Sequence, residues 1–166
     1  MSPSEAGILP LREYMLRLER NLMVGSGRWI ADFNESFWDY ELGGVKLQML
    51  LTGGMRARGF ALSRLVSRLS MPDYRVACFV HAGDAELKEF PTLLQEVGKF
   101  MAEHDIEWSW LVIPREGPFS RRAKAMVERN ERRELGIALV DLATQEITTS
   151  SSYVGRRMPR FIRCFR

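Results

Sequence analysis

The chain has 166 residues, 46% of them apolar and 27% charged, with a net charge of +3 and a pI near 9.1. That length predicts one domain over residues 1–166 with room for a real core, and no apolar run reaches the ~20 residues of a membrane span. The start, MSPSEAGILP, has neither a basic n-region nor a long apolar h-region, so no signal peptide is expected; Cys78 and Cys164 form no CxxC and have only His81 and His104 to join them, which points to reduced thiols in a cytoplasmic protein rather than a zinc site.

Residues 10–23 read as a helix, with Pro10 in the first turn, Gly25 as the stop, and an apolar stripe of Leu11, Tyr14, Met15, Leu18 and Leu22. Residues 28–42 read as a hairpin turning at Asn34-Glu35. Pairing Phe33 with Ser36 sets Ala31 against Trp38 and Trp29 against Tyr40, which makes one face aromatic. Gly43-Gly44 is a second hairpin turn leading into a strand at 45–52, and a helix is expected at 56–70 before Met71-Pro72. A buried strand follows at 74–80. Further on the pattern predicts a helix from Pro91 to about His104, a strand at 107–113, a helix at 118–133, and strands at 136–142 and 145–150. The basic tail, 153–166, reads as irregular. The order is α-β-β-β-α-β, a meander with a crossover helix at 56–70, followed by α-β-α-β-β. It predicts an α/β protein of three layers, α/β/α, around a central mixed sheet.

That order, with these hairpins over residues 10–82, resembles the restriction-endonuclease-like fold of the PD-(D/E)xK superfamily. Archaeal Holliday-junction resolvases and Mrr-type restriction enzymes belong to it. The segment FSRRAKAMVERNERRELGIALVDL also resembles the Mrr-type ending, an Ala-bearing helix followed by an apolar strand. The resemblance implies a divalent metal, Mg²⁺, held by an Asp on the second strand and an acidic residue or Gln on the third, with a Lys two positions later beside the water. Hard cations want oxygen ligands, and an ammonium offsets charge that develops in phosphoryl transfer. On this sequence Asp39 takes the place of the family's Asp and Gln48 that of its Glu or Gln. The lysine position holds Leu50, and a shift of one residue does not supply the lysine either. Glu13 matches the further acid of resolvase-like members, with Glu19 as the alternative. Lys46, on the strand face of Gln48, and Arg56 or Arg58 are the cations that could replace the missing one.

Pro72-Asp73 with Glu86-x-Lys88 looks like a second copy of the motif. A turn at Gly83-Asp84 would leave Asp73 roughly 26 Å from Glu86, too far to share a metal. Plainer readings stand beside the catalytic one. Asp39 and Gln48 also suit a solvated sheet face, Glu41 and Lys46 a cross-strand ion pair, Trp29, Trp38 and Tyr40 a core, and His81 a structural role.

Charge distribution says more than the total. Of the 24 basic residues 20 are Arg, the side chain suited to bidentate phosphate contact. From Gly43 to Pro72 there is no Asp or Glu, while Lys46, Arg56, Arg58, Arg64 and Arg68 fall there. Arg115, Arg121 and Arg122, with Ser120, surround the start of the expected 118–133 helix, where anions are favoured. The last eleven residues, RRMPRFIRCFR, hold five Arg and no acid. DNA or RNA is the expected partner. The leading expectation is a nucleic-acid-binding protein of nuclease-like fold that has lost efficient cleavage. Alternatives are an active Mg²⁺-dependent nuclease with a relocated cation, and a non-enzymatic subunit, a homodimer or one whose basic tail docks an acidic protein.

Overall fold

A computed structural model describes residues 8–25, 31–55 and 75–166. Among these residues the elements run α1 (Leu11–Met23), β1 (Ala31–Leu42), β2 (Val45–Met55), β3 (Arg75–Val80), α2 (Phe90–Glu103), β4 (Ile106–Arg115), α3 (Arg121–Glu128), β5 (Leu135–Asp141), β6 (Glu146–Thr149), α4 (Tyr153–Arg157) and α5 (Pro159–Ile162). The six strands form one open mixed sheet in chain order. β1, β2 and β3 are antiparallel neighbours, β3, β4 and β5 are parallel, and β6 closes the far edge antiparallel to β5.

The interior strands read as unbroken apolar runs because both of their faces are covered. On β3, Val76, Cys78 and Val80 meet the Tyr14, Met15, Leu18 and Leu22 stripe of α1, while Ala77 and Phe79 meet Phe90, Leu93, Val97 and Phe100 of α2. Ala123 and Val127 of α3 join that second layer. α1 and α2 therefore sit on opposite faces, each held by the stripe that its spacing predicts.

Four expectations are corrected. The first hairpin does not form: residues 31–42 are one strand, and Asn34 falls at a register shift between Phe33 and Glu35. β2 is long enough to ladder with all of β1, and Phe33 is buried at 2% exposure, so a bulge absorbs the extra residue instead of a reversal. Ala31 consequently faces Met55, and Trp29 lies outside the described residues. The second correction concerns connectivity. The expected helix at 56–70 also lies outside the described residues, but its flanking strands are antiparallel and Gly54 pairs with Arg75. The chain thus returns at the same end of the sheet, without the crossover that a parallel neighbour would need. Third, α3 is shorter than 118–133. Asn130 Oδ1 accepts from the Arg132 amide at 3.2 Å in the polar loop that follows. Fourth, the tail is ordered into α4 and α5.

Candidate functional site

The Gly43-Gly44 turn forms in the expected register, with Leu42 facing Val45 and Glu41 facing Lys46. The pairs Trp38–Met49 and Tyr40–Leu47 flank Asp39 and set it opposite Gln48. Asp39, however, has a φ of 52°. This left-handed residue breaks the alternation of the strand. Trp38 packs on the α1 side of the sheet and Tyr40 on the α2 side, and across the ladder Met49 and Leu47 separate in the same way. The aromatic residues do not share a face.

Around that kink the expected site residues are dispersed among separate contacts. The Asp39 side chain is 76% exposed, with Lys46 Nζ 3.8 Å from its Oδ1, so Lys46 pairs with Asp39 and not with Glu41. Gln48 Oε1 accepts the Ala82 amide at 2.5 Å and closes the end of β3. Leu50 is 1% exposed in the α2-side core, where an ammonium has no place. Glu13 pairs with Arg17 on the surface of α1. The acid of α1 that does reach the sheet is Glu19, whose Oε1 accepts from Ser36 Oγ and from Trp38 Nε1 at 3.0 Å.

The donor set does not fit a hard divalent cation. It offers one exposed carboxylate and one amide oxygen already bonded, and the described residues contain no group of three or more His, Cys, Asp or Glu placed to hold a metal. The connectivity points the same way. Among the described residues an α-β-β-β-α-β order runs as α1-β1-β2-β3-α2-β4, and in that frame neither its second strand, VKLQMLLTGGM, nor its third, RVACFV, contains a carboxylate.

The second motif is a loop. Asp84 Oδ1 accepts the Glu86 amide at 2.8 Å and the Lys88 amide at 3.4 Å, and the chain then enters α2. Asp73 lies outside the described residues. His81 ties this loop to β2. Its Nδ1 is 2.9 Å from the Lys46 carbonyl, which can only accept, so the ring donates there, and its Nε2 is 3.5 Å from Glu89 Oε2.

Arg56, Arg58, Arg64 and Arg68 lie outside the described residues. Arg121 and Arg122 are exposed in the first turn of α3, after Ser120, whose hydroxyl caps the Ala123 amide at 3.1 Å. Arg115 is held back by a 3.2 Å bond from Nε to the Pro118 carbonyl.

The arrangement that sequence reasoning missed is the tail. Ser150 and Ser152 are buried, and their hydroxyls form a chain. Ser150 Oγ accepts the Ile137 amide at 3.0 Å and lies 3.2 Å from Ser152 Oγ; Ser152 Oγ donates to the Leu135 carbonyl at 3.1 Å and caps the Gly155 amide at 3.0 Å. Backbones touch at two glycines. A Cβ on Gly155 would lie 2.5 Å from the Ser150 carbonyl oxygen, and one on Gly136 would lie 2.9 Å from the Gly155 nitrogen. From α1, Tyr14 Oη, Asn21 Nδ2 and Arg17 Nη1 donate to the carbonyls of Ile162, Phe161 and Phe165 at 2.9, 2.6 and 2.9 Å. Phe161 stacks on Trp110 with centroids 5.7 Å apart.

This anchoring turns Arg156, Arg157, Arg160, Arg163 and Arg166 to solvent. No Asp or Glu occurs from Ile147 to Arg166. None of the five guanidinium groups makes an ion pair with a described residue. Arg157 lies over the ring of Tyr153, 4.1 Å from its centroid. Two signals in the sequence mark the element: Ser152-x-x-Gly155 as a cap, and Met158 with Ile162 at a spacing of one helical turn.

Both cysteines are free and buried, Cys78 in the core that the tail packs on and Cys164 within the tail. Burial pushes the Cys78 thiol far up, and it raises Cys164 to about 11 against the opposing pull of Arg17. Neither is a nucleophile near neutral pH. No described helix is long and apolar enough to cross a membrane. The chain matches no protein-family model, no curated protein and no solved structure.

Proposed function

We propose that this protein binds nucleic acid through the arginine-bearing surface of α4, α5 and the residues that follow, and that it does so without cutting the strand. The observation that carries this reading is the anchored tail itself. Five exposed arginines, three on short helices bonded to the core and two on the residues that follow, stand within twenty residues that hold no acid. Displaying five guanidinium groups with no ion-pair partner among the described residues costs self-repulsion, which a phosphate backbone relieves by releasing its condensed counterions. Arg121 and Arg122, and the basic run from Arg56 to Arg68, add to the positive field that steers a polyanion to the protein. The Asp39–Gln48 hairpin offers a metal only one exposed carboxylate, paired with Lys46, and an amide oxygen already bonded to Ala82, so strand cleavage is not part of the proposal.

Fluorescence anisotropy with a labelled oligonucleotide over a salt series tests the reading. Log K should fall linearly with log salt. Arg160→Ala and Arg163→Ala should each weaken binding across all sequences and flatten the slope by about one unit. Incubation with Mg²⁺ or Mn²⁺ should leave the strand intact. Absence of binding at low salt, or binding that ignores salt, would sink the proposal and favour an acidic protein as the partner.

A further inference from the structure

Resting on the nucleic-acid reading, we infer that the preferred partner is a single strand, one of whose unpaired bases stacks on Tyr153. Tyr153 opens α4, and it is 63% exposed although Arg157 covers part of its ring. It belongs to neither core cluster. The cation occupies one face of the ring, and the remaining exposure leaves the other face to solvent. Cation–π contact restrains the ring, and the Ser152 cap together with the Gly155 contact fixes the backbone beneath it. The result is a flat apolar surface with a set orientation, on the same short helix as the exposed Arg156 and with no acid near it in sequence.

Charge chooses the class of partner, and the ring chooses its form. A duplex offers phosphates to the arginines but keeps its base faces stacked on one another, so Tyr153 would have nothing to cover it. A single strand offers both a phosphate chain and free base faces. Every base has such a face, so the contact tolerates sequence.

The test compares a short labelled oligonucleotide of mixed sequence, as single strand and as duplex, on the full chain. The unmodified protein should bind the single strand more tightly than the duplex. Tyr153→Leu should weaken single-strand binding by about tenfold and leave duplex binding and the salt slope unchanged. Tyr153→Trp should retain single-strand binding, which excludes a folding defect as the cause of the leucine effect. Arg160→Ala should weaken both forms alike. If Tyr153→Leu leaves single-strand affinity unchanged, or weakens both forms by one factor, the stacking assignment is wrong while the phosphate surface survives. If neither form binds and polyglutamate does, the nucleic-acid reading falls with it.

Discussion

Gly43 and Gly44 share one turn but carry different burdens. Both have left-handed φ values, 54° and 86°. A Cβ on Gly43 would lie 1.9 Å from Glu96 Oε2, whereas one on Gly44 would meet nothing within 4 Å. Gly44→Ala should therefore cost about 1 kcal/mol of backbone strain alone. Gly43→Ala should cost about twice that, because the Glu96 carboxylate, held by Lys99 at 2.8 Å, must also move. Denaturant melts of both variants, and of Gly43→Ala combined with Glu96→Ala, check this. Equal losses in the two glycine variants, or no recovery on removing Glu96, would contradict the contact. The residue scale also shows how far sequence reached at the candidate site. The Gly-Gly pair gave the register around Asp39 and Gln48 because turn chemistry is local. The left-handed kink at Asp39 and the bond from Gln48 to the Ala82 amide were hidden, since the latter joins residues 34 apart in the chain.

At the scale of elements, legibility followed the source of each element's stability. α1, α2 and the buried strands were readable because each carries a long periodic or continuous apolar pattern. β1 was misread because its length is set by β2, a partner that local pairing rules cannot see. β1 is also an edge strand, and its register shift, the kink at Asp39 and the exposed Glu35, Asp39 and Glu41 blunt the edge against further pairing. α4 and α5 have five and four residues, too short to persist alone, and tertiary bonds hold them. Gly155 is the place to break that hold. Its added Cβ would lie 2.2 Å from Ser150 Oγ and 2.5 Å from the Ser150 carbonyl, and backbone does not give. Gly155→Ala should speed hydrogen exchange across residues 153–162 and weaken oligonucleotide binding, although every arginine remains. Unchanged exchange would show that the tail tolerates the methyl group and that its seat on β5 is looser than described.

The described residues divide into two apolar layers, and the α1-side layer holds three ionisable groups whose titration burial shifts. Tyr14 and Cys78 lie there against the basic tail, and Cys164 belongs to the tail itself. Burial raises each of them above its ordinary value, and for Tyr14 the neighbouring Cys164 and Cys78 add to the effect. The sign of the consequence follows from proton binding. Between the ordinary thiol value of 9.0 and the value of about 11 for Cys164 in the folded chain, the folded state keeps a proton that the unfolded state has released. Folding then binds the extra proton, so stability falls as pH rises. The contribution is intact below pH 9 and is lost through pH 11, with Cys78 and Tyr14 extending the loss upward. The same layer seats the tail, through the bond from Tyr14 to the Ile162 carbonyl. Loss of stability should therefore be a property of the whole fold rather than of one end. Denaturant midpoints should hold steady from neutral pH to about 9 and decline steeply above it, and Cys78→Ala should flatten part of that decline, since alanine has no proton to release. Thiol reagents at pH 8 should label neither cysteine in the native protein and both in denaturant. Rapid native labelling of Cys78, or a midpoint that climbs with pH above 9, would mean that the thiols are not buried in this layer and that the tail does not cover it.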